Sequence, residues 1–341
     1  MQRMGRDRER AGLGLGTRIF HRFTRVASGG FGGSFGQRPA PRPPRDQGTV
    51  VVGEVELAYL RWPGPGPTLV LVHGVNSGPW LWAPLASLLD GTRDVIAIAQ
   101  RGHGDSSAPD RGYSLEHTTA DLLGFIDQLD LGPVDLVGHS WGGQVATHAT
   151  ATSGGRVRRL VLADPVPPRG INRLVRRAPL VVDLAFEPER RAYPNRAAME
   201  AAARRLVYLQ AWDDHDRQLW STYYREDDDG WWRHRTPESA FRQIVGDVVF
   251  TDVSEVLEDI DCPVLLLLPT LSLSMLPGEL APLHHHLADL QVERVRGDHT
   301  FPYSNPFDTA SHLCAFLEGR AGGTPCTRPI STTTPPPPTA T

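Results

Sequence analysis

The chain has 341 residues, of which 40% are hydrophobic and 22% are charged, and its formal net charge is -4 at pH 7. This length can bury the core of one large α/β domain with an insertion, and the slight excess of acidic residues argues against a nucleic-acid-binding surface. All 35 basic residues are arginine, so the chain has no amine for a Schiff base, for pyridoxal phosphate attachment or for a P-loop.

The cysteines and the apolar segments indicate the compartment. Cys262, Cys314 and Cys326 form neither a CxxC pair nor a metal-ligand spacing, so we expect reduced thiols and a cytoplasmic protein. The longest apolar stretches are too short, and too often broken by proline, to span a bilayer. The sequence therefore predicts no membrane partner and no nucleic-acid partner, and it leaves the oligomeric state open.

The two ends of the chain differ in composition from the middle. Residues 1–48 are rich in arginine, glycine and proline, which predicts a disordered N-terminal extension. The runs GLGLG and GGFGG within it follow no predicted strand, which argues against a dinucleotide-binding loop. Residues 319–341 form a Pro/Thr-rich stretch that we expect to be a disordered tail.

Between these ends, segments typical of strands alternate with segments typical of helices. The first segments are a hairpin in TVVVGEVELAYLRW, a strand in TLVLVHG, a helix in WLWAPLASLLD, a strand in DVIAIA and a helix in LEHTTADLLGFIDQLD. Next come a strand in VDLVGH, a helix in GGQVATHATA and a strand in VRRLVLAD. After an interruption the order resumes with CPVLLLL, a helix near residues 278–288, QVERV and PFDTASHLCAFLE. Continuously apolar strands in this order predict an α/β fold with a mostly parallel central sheet flanked by helices.

Residues 165–250 interrupt the alternation, and we expect them to form an inserted helical cap on a core of residues 49–164 and 251–318. The insertion is dense in aromatic residues and in charges of both signs. Such aromatics line apolar substrate pockets as readily as they fill cores, and both interpretations stay open. The candidates for substrate binding are Trp212, Trp220, Tyr223 and Tyr224, with Trp231 and Trp232 in the same segment.

The stretch LVGHSWGGQ contains a G-x-S-x-G motif made by Gly138, Ser140 and Gly142. The motif lies between a predicted strand and a predicted helix, which is the setting of a nucleophile elbow. Small flanking residues allow a sharp turn with serine in a strained conformation, so that Ser140 Oγ projects at the top of the sheet. The helix that follows supplies free N–H groups, and the amide of Trp141 can stabilise an oxyanion there.

The order of the motifs LVHGVNSGPWLW, AQRGHGDSS, LVGHSWGG and RVRGDHTFPY resembles the α/β-hydrolase fold family, from about residue 49 to 318. The chain is similar to a capped member with a serine nucleophile. The resemblance implies that the N–H of Val75 joins that of Trp141 in the oxyanion hole, and that His299 is the general base. His299 also combines a preceding strand, a glycine-bearing turn and a following helix begun by proline.

The acid of the triad departs from the usual family pattern. The family most often has an Asp in the loop after the strand CPVLLLL, where this chain has Leu273 or Ser274. A minority of the family takes the acid from the end of the preceding strand, where this chain has Asp164. We therefore identify Asp164 as the residue that orients His299, since the imidazole needs a carboxylate to fix its tautomer. The alternative is that Asp164 only caps the exit of the chain into the insertion.

The remaining histidines are expected to have no catalytic role. His73 and His103 lie in glycine-containing motifs and should be structural or line the pocket, and His139 should face away from the nucleophile. Residues 284–286 are consecutive histidines on a predicted helix, so they point in different directions and cannot converge on one metal. The sequence predicts no metal and no cofactor.

Several functions are compatible with this constellation. The first is a serine hydrolase that cleaves an ester, lactone or thioester of a small apolar molecule through an acyl-enzyme. The second is an elimination, cyclisation or cofactor-independent oxygenation, with His299 as base and the oxyanion amides holding an enolate, as in secondary metabolism. The missing acid after CPVLLLL favours this second function. The third is a ligand-binding pseudo-enzyme, which an intact Ser140 and His299 disfavour.

Overall fold

The computed structural model describes residues 41–169, 192–203, 214–270, 272, 275 and 277–319. Most of the predicted N-terminal extension, Trp212, Leu273, Ser274 and the predicted tail after Gly319 lie outside the described residues. The strands are β1 (Asp46–Val52), β2 (Val55–Trp62), β3 (Leu69–Val72), β4 (Val95–Ile98), β5 (Val134–His139), β6 (Val157–Ala163), β7 (Tyr224–Glu226), β8 (Trp232–His234), β9 (Val264–Pro269) and β10 (Leu290–Val295). The α-helices are α1 (Ala83–Leu89), α2 (Leu115–Gln128), α3 (Trp141–Thr152), α4 (Arg196–Ala203), α5 (Asp214–Thr222), α6 (Glu238–Phe250), α7 (Pro277–His286), α8 (Phe301–Ser304) and α9 (Pro306–Leu317).

Eight of these strands form one sheet in the order β1-β2-β4-β3-β5-β6-β9-β10. The β1–β2 and β2–β4 pairs are antiparallel, and the pairs from β4 to β10 are parallel. The predicted mostly parallel sheet is confirmed. The first strand begins at Asp46 rather than at Thr49, because the three residues before Thr49 pair with β2. These residues therefore belong to the sheet, although their composition groups them with the N-terminal extension.

Helices cover both faces of the sheet. On one face Phe125 of α2 and Val145 of α3 pack in a buried apolar cluster with alternate side chains of the strands. On the other face Leu85 of α1 and Leu313 of α9 pack in a second cluster with the intervening strand residues. Because successive strand side chains point to opposite faces, a strand between two helical layers must be apolar throughout. Burial of both faces therefore explains why the strands correspond to uninterrupted apolar runs in the sequence.

The segment between β6 and β9 is the predicted cap, and its described parts contain α4, α5, the β7–β8 hairpin and α6. Its last helix, α6, packs into the main core through Ala240 and Ile244. Asp247 of the same helix accepts a hydrogen bond from the Leu115 N–H at the start of α2. Helix α6 thus packs as part of the core rather than within the cap. The cap has a small cluster of its own, formed by Tyr193, Met199, Trp220, Tyr223 and Tyr224.

Within the described ranges, no helix combines the length and the apolar character that crossing a bilayer requires.

Two glycines allow α3 to begin directly against the sheet. A Cβ atom on Gly142 would lie 2.4 Å from the carbonyl oxygen of His73 and 2.5 Å from that of Val72. A Cβ atom on Gly138 would lie 2.3 Å from the carbonyl oxygen of Gly142. All of these neighbours are backbone atoms that cannot rotate away, so the strand-turn-helix connection tolerates only glycine at both positions.

We predict that Gly142→Ala destabilises the protein by about 1–3 kcal/mol or more, because the new methyl group overlaps fixed backbone. The matched control is Gly246→Ala in α6, where a Cβ would have no neighbour within 4 Å. That control should stabilise the fold by about 0.5–1 kcal/mol, since alanine restricts the unfolded chain. Thermal and urea unfolding of both variants measure the difference, and equal stabilities would contradict this account of the elbow.

Candidate active site

Ser140 lies between β5 and α3 with φ 55° and ψ -122°, a conformation that residues other than glycine rarely adopt. Its N–H donates to the carbonyl of Ala163 at 3.2 Å. Its own carbonyl accepts hydrogen bonds from the N–H groups of Gly143 at 2.9 Å and Val166 at 3.1 Å. These bonds hold a backbone strain of about 1–3 kcal/mol. The Ser140 side chain stays partly accessible at the edge of the sheet where the parallel strands end.

The two predicted oxyanion residues, Trp141 and Val75, belong to two segments at this elbow: the start of α3 and the loop after β3. Helix α3 begins at Trp141, so its first N–H groups have no partner within the helix. The loop after β3 touches the elbow, because a Cβ on Gly74 would lie 2.9 Å from Ser140 Cβ. Val75 follows Gly74 directly. Val75 and Trp141 therefore follow directly after the two residues, Gly74 and Ser140, that approach each other here, and their N–H groups remain the predicted oxyanion donors.

His73 anchors the loop that carries Val75. Its Nδ1–H donates to the carbonyl of Gly74 at 2.7 Å, and its Nε2 accepts the N–H of Gln100 at 3.1 Å. The Gln100 side-chain amide also donates to the His73 carbonyl at 2.7 Å. Burial keeps the pKa of His73 well below its ordinary value. His73 is thus a neutral structural residue that ties the loop to the end of β4.

The structure brings Asp164 and His299 together: His299 Nδ1 lies 2.6 Å from Asp164 Oδ2. Asp164 follows β6 with φ 42°, is 1% exposed, and donates its N–H to the carbonyl of Leu267 in β9 at 2.8 Å. A carboxylate only accepts hydrogen bonds, so the Asp164 contact places the imidazole proton on Nδ1. Nε2 of His299 is left as the acceptor that a general base needs.

A second side chain reaches the same carboxylate. Ser272 Oγ donates to Asp164 Oδ1 at 2.6 Å. Ser272 is not among the residues predicted from the sequence, because a carboxylate was the residue type expected in the segment after β9. The signal that could have indicated Ser272 is a hydroxyl residue directly before the position at which most of the family has the acid of the triad.

His139, which the sequence places in the elbow facing away from the nucleophile, contacts the predicted base His299. Its Nε2–H donates to the carbonyl oxygen of His299 at 2.7 Å, and the two ring centroids are 4.6 Å apart. The ring of Trp82 packs edge-on against that of His139, with 6.2 Å between the ring centroids. Burial, with a smaller contribution from His299, lowers the pKa of His139 to about 3. His139 is therefore neutral and holds the loop that carries His299 beside the elbow.

The aromatic residues predicted to bind substrate differ in whether they contact only the cap or also the loop after β3. Trp220 and Tyr224 are buried in the cap cluster, which favours the core interpretation for these two side chains. Tyr223 packs in the same cluster, but its hydroxyl also lies 3.2 Å from Ser77 Oγ in the loop after β3. Tyr223 and His234 line a cavity of about 450 Å³ between the cap, that loop and the β1–β2 hairpin. Neither Ser140 nor His299 lines this cavity.

Two further buried histidines lie near the loops of the site. His103 Nδ1–H donates to the carbonyl of Arg101 at 3.0 Å, and the His103 ring lies 5.7 Å from that of Trp141. His234 Nδ1 accepts the N–H of Thr236 at 3.1 Å. Burial lowers the pKa of His103 to about 4 and that of His234 to about 3. Both imidazoles are therefore neutral at pH 7.

The consecutive histidines at positions 284–286 are at the end of α7, as the sequence predicts. The described part of the chain contains no group of three or more His, Cys, Asp or Glu side chains arranged to hold a metal ion.

Comparison with known proteins identifies the family to which the chain belongs. The model of the α/β hydrolase family matches residues 69–312. N-formylmaleamate deformylase from Pseudomonas putida is 28% identical over 262 residues, which cover 76% of this chain and 91% of that protein. The crystal structure of E-2-(acetamidomethylene)succinate hydrolase has a TM-score of 0.69 and 26% identity, over 80% of this chain and 99% of that one. A non-heme chloroperoxidase from Kitasatospora aureofaciens is 36% identical over 117 residues, or 33% of this chain and 42% of that protein.

The buried histidines predict how stability depends on pH. In the folded chain the pKa is about 4 for His103 and about 3 for His139 and His234, below the ordinary 6.5. The unfolded chain therefore binds more protons, so the free energy of unfolding is largest above about pH 6.5 and falls as the pH drops toward 4. We predict that His103→Asn reduces this slope by about 1 kcal/mol per pH unit between about pH 6 and 5.

Asn is the chosen replacement because its side-chain amide can still donate to the Arg101 carbonyl. Urea unfolding at a series of pH values measures the slope. His285→Asn, which removes a solvent-exposed imidazole of α7, is the matched control. An unchanged slope in a folded His103→Asn variant would contradict the assignment of a buried neutral imidazole.

Proposed function

The chain is a hydrolase that belongs to the α/β hydrolase family, and we propose that it is a serine hydrolase acting through an acyl-enzyme. Its substrate would be an ester, lactone or thioester of a small, largely apolar molecule. The observation that carries this proposal is the 2.6 Å contact between His299 Nδ1 and Asp164 Oδ2. The loop that carries His299 is tied through His139 to the strained Ser140 elbow. A buried carboxylate on one imidazole nitrogen prepares the other nitrogen to accept the serine proton.

The proposed reaction has two halves. Ser140 Oγ attacks the substrate carbonyl carbon while His299 Nε2 takes the serine proton, and the carbonyl oxygen becomes an oxyanion. The N–H groups of Val75 and Trp141 donate to this oxyanion and stabilise the negative charge that develops on it in the transition state. The intermediate collapses by breaking the bond to the leaving group, which His299 protonates. Water, deprotonated by His299, then attacks the acyl-enzyme and releases the acid and free Ser140.

The names of the relatives add a further type of bond to those that should be tested for cleavage. One is a deformylase of N-formylmaleamate and another is a hydrolase of an acetamidomethylene compound. Their names describe N-acyl groups, so N-acyl compounds join esters, lactones and thioesters as candidate substrates of this chain. An N-acyl substrate would release a poorer leaving group than an ester does. Protonation of that group by His299 then contributes more to the rate.

The contact of Asp164 with His299 removes one argument for base-only chemistry such as elimination, cyclisation or oxygenation, namely that no acid reaches the imidazole. An acid at the end of β6 also occurs among family members with such activities, so base-only chemistry stays the second candidate. A pseudo-enzyme is disfavoured. A ligand-binding protein has no need to keep a serine in a costly backbone conformation beside a paired histidine.

We predict that a fluorophosphonate probe labels the wild-type protein and does not label Ser140→Ala. The reagent reacts with serines whose proton can be taken by a base, which the contacts of His299 provide. Gel fluorescence and intact mass spectrometry measure the labelling. The matched control is Ser221→Ala, which removes a hydroxyl that donates to Gln218 within α5, and it should label like the wild type. An unlabelled wild type would sink the serine hydrolase proposal.

We also predict that Asp164→Asn lowers the kcat for short p-nitrophenyl esters by up to about 10⁴-fold, because an amide favours the wrong imidazole tautomer. The matched control is Asp298→Asn, next to His299 in sequence, whose carboxylate accepts hydrogen bonds from Thr300. It should keep most of the activity. Wild-type turnover in Asp164→Asn would remove Asp164 from the triad, and a collapse in the Asp298 variant would point to a different acid.

A further inference from the structure

Ser272 follows β9 at the point where the chain passes the end of β6. The two strands are parallel neighbours with Ala163 opposite Leu267, so the residues after them lie side by side. The Ser272 N–H donates to the carbonyl of Pro269 at 3.2 Å, which folds the chain back in a turn. This turn places Ser272 Oγ 2.6 Å from Asp164 Oδ1.

The direction of this hydrogen bond is fixed from both sides. A carboxylate only accepts, so the hydroxyl proton of Ser272 must point to Asp164. The N–H of Met275 approaches the same Ser272 oxygen at 3.3 Å and uses it as an acceptor. The hydroxyl is thus held between a backbone donor and the carboxylate, which favours a single rotamer of the serine.

Burial makes the second carboxylate oxygen important. Asp164 is 1% exposed, so bulk water cannot solvate its charge, and a buried carboxylate needs hydrogen-bond donors at both oxygens. His299 Nδ1 lies at Oδ2 and Ser272 Oγ lies at Oδ1. Donors at both oxygens fix the plane of the carboxylate and therefore the direction of its bond to the imidazole.

We propose that Ser272 is a positioning residue of the proposed triad, acting on His299 through Asp164. The inference rests on the proposed function, because it assigns Ser272 to the same base. In a chain whose acid comes from the end of β6, the segment after β9 then supplies a neutral donor that holds the acid in place. A mobile Asp164 would let the imidazole leave the orientation needed to take the serine proton.

The kinetic test uses p-nitrophenyl acetate with Ser272→Ala, Ser272→Thr, Asp164→Asn and the Ser272→Ala/Asp164→Asn double variant. Ser272→Ala should lower kcat about tenfold, as expected for one hydrogen bond to a charged group, with KM little changed. Ser272→Thr keeps the hydroxyl and should restore most of kcat. In the Asp164→Asn background, Ser272→Ala should have no further effect, because Ser272 acts through the lost carboxylate.

The matched control is Ser153→Ala, which removes a buried hydroxyl that donates to Thr150 at the far end of α3. It should leave kcat unchanged in both backgrounds. A wild-type kcat in Ser272→Ala, or an equal fall with and without the Asp164 carboxylate, would overturn the inference. Thermal unfolding of each variant separates these results from a general loss of folding, and Ser272→Thr remains informative if Ser272→Ala does not fold.

A spectroscopic readout separates this inference from the proposed function. In protein labelled with ¹⁵N-histidine, the imidazole shifts of His299 are assigned by their loss in His299→Gln. Ser272→Ala should move the His299 Nδ1 shift, and Ser272→Thr and Ser153→Ala should leave it in place. An unmoved shift in folded Ser272→Ala overturns the role of Ser272 whatever the ester assay gives. A moved shift in a protein that hydrolyses no ester would leave Ser272 in its role and count against the serine hydrolase proposal alone.

Discussion

The hydrogen bond between His299 Nδ1 and Asp164 Oδ2 joins residues that are 135 positions apart in the sequence, at a distance of 2.6 Å. It requires a parallel sheet, because only parallel neighbouring strands deliver their carboxyl ends, and the loops that follow them, to one edge. It also requires Asp164 to take a positive φ and to bond its N–H to β9. The sheet, the elbow and the loop after β10 are arranged so that this contact forms.

Constraints on the backbone and on charge reinforce the contact. Glycines allow the elbow, the loop after β3 and the first turn of α3 to pack closely against one another. His73, His103, His139 and His234 surround these loops as neutral rings with lowered pKa values. Burial disfavours the charged imidazolium, so these rings carry no charge at pH 7.

The end of β6 and the segment after β9 are adjacent, which explains how an acid can come from either strand in such a sheet. In this chain the carboxylate comes from β6, and Ser272 after β9 contacts it. One strand end supplies the charge and its neighbour supplies a donor to that charge. This division of roles gives the imidazole of His299 a carboxylate partner, as a group that takes and returns a proton requires.

Sequence alone determined the parallel sheet, the order of its elements and the placement of Ser140 in a strand-turn-helix connection, because apolar periodicity and glycine turns are local properties. It also indicated Asp164 and His299, yet only the tertiary structure brought them within hydrogen-bonding distance. The contacts of Ser272 and His139, the packing of Trp220 and Tyr224 inside the cap, and the docking of α6 on the core were decided at that level as well. Each depends on the register and spacing of elements far apart in the chain, which no local pattern of residue types records.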